Sequence, residues 1–232
     1  MRRFFMYRFV ALSVVVLLVG CASVVFAHEL IVKPSKMEAA KGEDLPIELH
    51  STHRFIVKEE VENIALIRAG VFRNGKLEEA GLRENEPELR IDYSVKIEDD
   101  GAVLVVANKS GEIWSTTNEG SMAGSRRELE AKNLKVVRAA KTDKFARAIV
   151  NASKGDTKFA AVVGQELEVI PVTNPADAKV GEYFRVKILY KGQPASLPVW
   201  ATFDGFAPEL QNTYAYYTES SAEGIADVRI TA

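Results

Sequence analysis

The sequence predicts an all-β protein built as two β-sandwich units behind a cleavable leader, with at most one short helix. Two observations carry this: short apolar segments in which alternate residues are hydrophobic, and turn signals of the Asn-Gly or Asp-Gly kind between them. The boundaries expected are 1–27 for the leader, 28–135 for the first sandwich, 136–163 for a connecting segment and 164–232 for the second sandwich.

The leader has a basic start in Arg2, Arg3 and Arg8 and an apolar stretch from Phe9 to Val19 broken only by Ser13. That stretch falls short of the ~20 residues that span a bilayer. It ends in Val25-Phe26-Ala27, the small and neutral residues a signal peptidase reads, which would make His28 the first residue of an exported, periplasmic or secreted protein. A second reading stays open. Leu18-Val19-Gly20-Cys21 fits the lipobox of bacterial lipoproteins, and acylation of Cys21 would anchor the chain to a membrane. No later segment is long and apolar enough to be a transmembrane helix.

In the first unit, Ile64 to Phe72 reads as a strand ending at Asn74-Gly75, a pair suited to the positive φ angles of a two-residue hairpin. From Leu89 to Glu98, Ile91, Tyr93, Val95 and Ile97 fall on one face and Asp92, Ser94 and Lys96 on the other. Asp99-Asp100-Gly101 turns the chain into the buried-strand run Ala102 to Val106. Asn118 to Ser125 reads as a loop. Lys144 to Val150 suits either a strand or a short helix capped by Asp143. In the second unit Leu167 to Val172, Phe184 to Tyr190, Pro198 to Phe206, Tyr214 to Thr218 and Ala226 to Ile230 read as strands. The last ends with the chain at Ala232, which is expected to leave an exposed edge or an incomplete immunoglobulin-like sandwich.

Composition narrows the function. The chain has 30 basic and 32 acidic side chains, and loss of the three leader arginines would leave a net charge of about −5. Mild acidity argues against nucleic acid as a partner. With Cys21 the only cysteine, an exported product has no internal disulfide and must rest on its apolar cores. The sequence holds no Gly-x-Ser-x-Gly elbow, His-Glu-x-x-His pair or phosphate-binding glycine loop, so no enzyme is expected.

The candidate chemistry lies in three histidines. An N-terminal His28 would offer its imidazole and its α-amine, and His50 or His53 a further ring nitrogen. Nitrogen donors of this kind suit nickel, cobalt, copper and zinc. Three residues apart on an extended strand, His50 and His53 point to opposite faces, so a bend at Ser51-Thr52 is required before both can reach one ion. His53 is the first choice of partner, with His50 and Glu29 behind it. The acidic pairs Glu59-Glu60, Glu78-Glu79 and Asp99-Asp100 read as solvated faces. Trp200, Phe203, Phe206, Tyr214, Tyr216 and Tyr217 crowd one region; half are expected in the second core and the rest at a contact with the first unit or at a protein- or glycan-binding surface.

Several motifs resemble those of an exported bacterial family of unknown function, whose members are labelled periplasmic components of cobalt or nickel uptake. They are Ala27-His28-Glu29-Leu30, Ser51-Thr52-His53-Arg54-Phe55, the Gly164 to Pro171 run with Asn174-Pro175, Gly181-Glu182, Val186 to Pro194, and Ala201 to Phe206. The resemblance implies two β-sandwich domains, the second transthyretin-like, a nickel or cobalt ion as cargo and a metal-uptake membrane complex as partner. Similar proteins continue through a further Gly- and Trp-containing strand that this chain lacks. The competing function is a metal-free exported module that contacts protein or glycan.

Overall fold

The computed structural model describes residues 28–98 and 100–232, and the described chain is mostly antiparallel β-structure. The leader and Cys21 lie outside the described residues. No helix among the described residues is long and apolar enough to cross a membrane.

Two sheets enclose the main core. One runs in the order β1 (Glu29–Pro34), β2 (Asp44–Thr52), β6 (Arg90–Lys96) and β5 (Arg83–Asn85). The other runs β11 (Lys144–Val150), β7 (Val103–Lys109), β3 (Ile67–Arg73) and β4 (Lys76–Glu79). Alternation decides which side chains go inside. Leu45, Ile47 and Leu49 of β2 and Ile91, Tyr93 and Val95 of β6 meet Ala69, Val71, Val105 and Val150 of the opposite sheet in one apolar cluster. Each fully buried aliphatic side chain contributes about 1.5–3 kcal/mol. The β3–β4 hairpin turns on Asn74 (φ 52°) and Gly75 (φ 75°), as the Asn-Gly pair leads one to expect.

Residues 136–163, expected to connect the units, are only partly a connector. β10 (Val136–Lys141) pairs with β8 (Ile113–Thr117), and β11 joins the main core beside β7. The stretch 144–150 is therefore a strand, with Ala146, Ala148 and Val150 inward, and Asp143 caps nothing. Asp143 instead accepts from the Gly111 N–H at 2.8 Å. Nearby, a Cβ on Gly111 would lie 2.1 Å from the Thr142 carbonyl oxygen, so only glycine lets these two turns meet. Residues 118–125, read as a loop, instead hold a two-residue turn and the strand after it: β9 (Gly120–Ala123) pairs back on β8. The short helix falls in the next segment: α1 (Arg126–Glu130) starts at Ser125, whose side chain and Glu128 make a capping box.

The second unit is thinner. β13 (Tyr183–Tyr190) pairs with β12 (Leu167–Pro171), β14 (Gln193–Pro194) and β17 (Ile225–Arg229), beside a hairpin of β15 (Pro198–Ala201) and β16 (Tyr216–Glu219). Its buried apolar cluster is Val186, Ile188 and Ala226, with Phe184, Leu197, Val199 and Val228 half-buried around it. The aromatic residues expected to supply half of this core do not enter it. Trp200, Phe206 and Tyr217 are exposed, and Phe203, Tyr214 and Tyr216 are half-buried.

Polar contacts tie this small core to the large one. Arg147 of β11 donates to Glu168 of β12 at 2.8 Å, with the two side chains 8% and 1% exposed. Glu168 also accepts from the N–H groups of Val163 and Gly164 at 3.0 and 2.9 Å. Gln165 donates to the carbonyls of Ala107 and Ala146. Both Glu168 oxygens thus have donors, which offsets the burial of the charge, while Arg147 Nε is buried without a partner among the described residues.

Candidate metal centre

The β1–β2 ladder pairs Glu29 with Thr52 and Leu30 with Ser51. Continued by one residue, the same register sets His28 opposite His53, and cross-strand partners share a face. Their rings lie with centroids 3.7 Å apart, tilted by 40°. Histidines 25 positions apart in sequence are thus neighbours because a strand pair ends on them.

Glu59 closes the group. Residues after β2 fold back beside its C-terminal end, beyond the last β6 pairing at Leu49, where Glu59 N–H donates to the Ser51 carbonyl at 3.2 Å and Ser51 bridges to Glu60. Glu59 Oε2 lies 3.2 Å from His53 Nδ1 and 3.5 Å from His28 Nε2. One donor atom from each of His28, His53 and Glu59 lies within 4.8 Å of the other two. Donors bound to one transition-metal ion at about 2.1 Å stand roughly 3–3.5 Å apart, so two of these separations already suit a shared ion.

The carboxylate is well supported. Arg54 Nε donates to Glu59 Oε1 at 2.6 Å, and the His53 N–H donates to Oε2 at 2.8 Å. Burial alone would raise the Glu59 pKa, but these donors outweigh it and hold the carboxylate below its ordinary range. His28 is lowered, first by burial and further by His53 and Lys144, against the opposing pull of Glu60 and Glu59. A neutral imidazole beside an ionised carboxylate is the protonation state a metal ligand set requires.

The remaining sequence candidates go elsewhere. β2 runs straight through Thr52, with no bend at Ser51-Thr52, so His50 and His53 face opposite ways. His50 is 1% exposed and its Nε2 lies 2.7 Å from Glu48 Oε2, which makes it a buried, hydrogen-bonded residue away from the cluster. Glu29 accepts from the Tyr214 hydroxyl and is not in the cluster either. Glu59 and Glu60, read from sequence as a solvated face, instead turn toward His28 and His53; Glu59 is 13% exposed, and Glu60 Oε1 lies 3.0 Å from His28 Nδ1. Acidic pairs beside turns look alike in sequence, and only the fold-back along β2 distinguishes this one.

Behind the cluster sits a buried charge group. Glu62 pairs with Lys109 and, at 2.5 Å, with Lys144. Burial raises its pKa, but the two ammonium groups more than offset this and bring it down to about 2. The Ser51 hydroxyl, 3.0 Å from Glu60 and 2.9 Å from Glu62, joins this group to the histidine cluster. His28, His53 and these charged residues line one end of a cleft of about 530 Å³ whose far wall is the β8–β9–β10 sheet.

No curated protein matches the chain. A family described as a domain of unknown function (DUF4198) has a model that matches residues 25–232, and the chain belongs to that family.

Proposed function

We propose that the protein captures a divalent transition-metal ion, nickel or cobalt, outside the cytoplasm and delivers it to an uptake complex in the membrane. One observation carries the reading: two imidazoles and a buttressed carboxylate converge with donor atoms within 4.8 Å. Two nitrogens and one oxygen suit the intermediate softness of these ions. Processing between Ala27 and His28 would add the α-amine of His28 as a fourth donor. The resemblance of the His28 and His53 motifs to proteins labelled as cobalt or nickel uptake components supports the choice of ion.

Calorimetric titration of protein beginning at His28 with Ni(II) and Co(II) tests this. One equivalent should bind, and His53→Ala should abolish it. Absence of binding by the unaltered protein ends the proposal. Extending the chain by one residue before His28 should weaken binding if the amine is a donor.

A second reading has its own observation. Trp200 and Tyr217 are each about half exposed, with ring centroids 5.7 Å apart, and form an open aromatic face that suits a protein or glycan contact. Retention of a glycan or protein partner by a nickel-blind chain would favour it.

A further inference from the structure

The cleft beside the histidine cluster is larger than an ion needs. Six waters around an ion occupy roughly 180 Å³ at about 30 Å³ each, against a cleft of about 530 Å³. That volume falls in the range of small-molecule sites. Because His28 and His53 themselves line it, an ion held between them would border it.

Charge decides what fits. The cluster and the cleft together hold four basic side chains, Arg54, Lys109, Arg138 and Lys144, and four acidic ones, Glu59, Glu60, Glu62 and Glu112. They balance until a divalent ion arrives, which leaves two positive charges unmatched. Glu62 already engages both lysines, and Glu112 stands 4.0 Å from Lys109. Arg138, on β10, is exposed, and its guanidinium has no hydrogen bond or ion pair among the described residues. Its guanidinium is free for a carboxylate, which it recognises through paired N–H donors. On the same wall Trp114 is 51% exposed and offers a flat apolar surface for a carbon skeleton.

We propose that this cleft binds a small polycarboxylate chelator. Its carboxylates complete the coordination of the ion held by His28, His53 and Glu59 and pair with Arg138, while its carbon skeleton lies against Trp114. The cargo is then a metal–polycarboxylate complex rather than a bare ion. This rests on the metal reading above and adds the identity of the co-ligand.

Equilibrium dialysis of the protein with radiolabelled citrate, with and without equimolar Ni(II), separates the two. Citrate should be retained one-to-one with nickel and at least tenfold less without it, and its arrival should change Trp114 fluorescence. Arg138→Ala should lower citrate retention at least tenfold while nickel alone still binds within about twofold, which also shows that the variant is folded. Nickel retained while the citrate dialysed with it is not overturns the co-ligand and leaves the metal reading standing. Retention of L-histidine in preference to citrate overturns the polycarboxylate class. Failure to retain nickel at all overturns both.

Discussion

The N–H of Asn212 donates to the carbonyl oxygen of His53 at 2.7 Å, so a loop of the second unit holds the residue on which the candidate centre turns. Two positions on, the Tyr214 hydroxyl reaches Glu29, the residue after His28. Burial and the Glu29 carboxylate both push the Tyr214 hydroxyl's pKa upward, so it stays protonated and remains the donor. The second unit therefore braces both histidine-bearing strand ends.

Removing that brace should be felt at the site. Tyr214→Phe is expected to cost about 1.5 kcal/mol of stability, the lower end of the range for a hydrogen bond to a charged group. Nickel binding should weaken several-fold. Calorimetry alongside thermal unfolding checks this; unchanged affinity would detach the loop from the centre.

Arg54 would act on a bound ion only through Glu59. Its replacement by Met keeps an unbranched apolar stem but removes one of the two donors that orient Glu59, and loss of such a supporting contact typically costs about 10–100-fold in metal affinity. Glu59→Gln, which weakens a direct donor, should cost at least as much. Affinities for Ni(II) measured on both variants order the two effects.

Acid should weaken the fold before it unfolds it. Burial holds the His50 imidazole below its ordinary pKa, with Glu48 opposing. Below about pH 6.5, the value expected for an unfolded chain, the unfolded state takes up a proton that the folded state resists. The stabilisation is whole above that pH and is lost as pH falls through the folded value. His50→Gln should therefore show a shallower fall in urea midpoint between pH 7 and 5 than the unaltered protein.

The buried Arg147–Glu168 pair should behave asymmetrically. Glu168→Gln strands a buried guanidinium and is expected to cost about 3–5 kcal/mol, whereas replacing both residues with apolar ones of similar size should recover much of that loss. Because the second core is small, the loss should appear first as detachment of the 164–232 unit, readable by hydrogen exchange in β12 and β13.

Tyr93 offers a test in the other direction. Its hydroxyl is buried without a partner among the described residues, and burial raises its pKa. Tyr93→Phe removes an unsatisfied polar group and should leave stability unchanged or raise it by up to about 1 kcal/mol. A large drop in the melting temperature would reveal a water or side chain bonded there.

Much of the strand pattern was legible because alternation and turn chemistry are local. Ile91, Tyr93, Val95 and Ile97 turn inward as their spacing requires, and Asn74-Gly75 makes its hairpin. The segment 144–150 was ambiguous because Phe145 and Ile149 fit a helical spacing as well as a strand; pairing with β7 decided it. The aromatic run misled in the opposite sense, since a count of large apolar residues does not say whether a second layer exists to bury them.

The sequence by itself determined the β class, most strand positions and the choice of His28 and His53, together with the rule that His50 cannot share a face with His53 on a straight strand. Only the tertiary structure decided that His28 and His53 meet, that Glu59 rather than Glu29 stands third, and that Arg138 and Trp114 face them across a cleft. The reason is physical. Alternation is set by each residue's own backbone, whereas register, fold-back and the approach of one sheet to another depend on which distant surfaces gain most by being buried together.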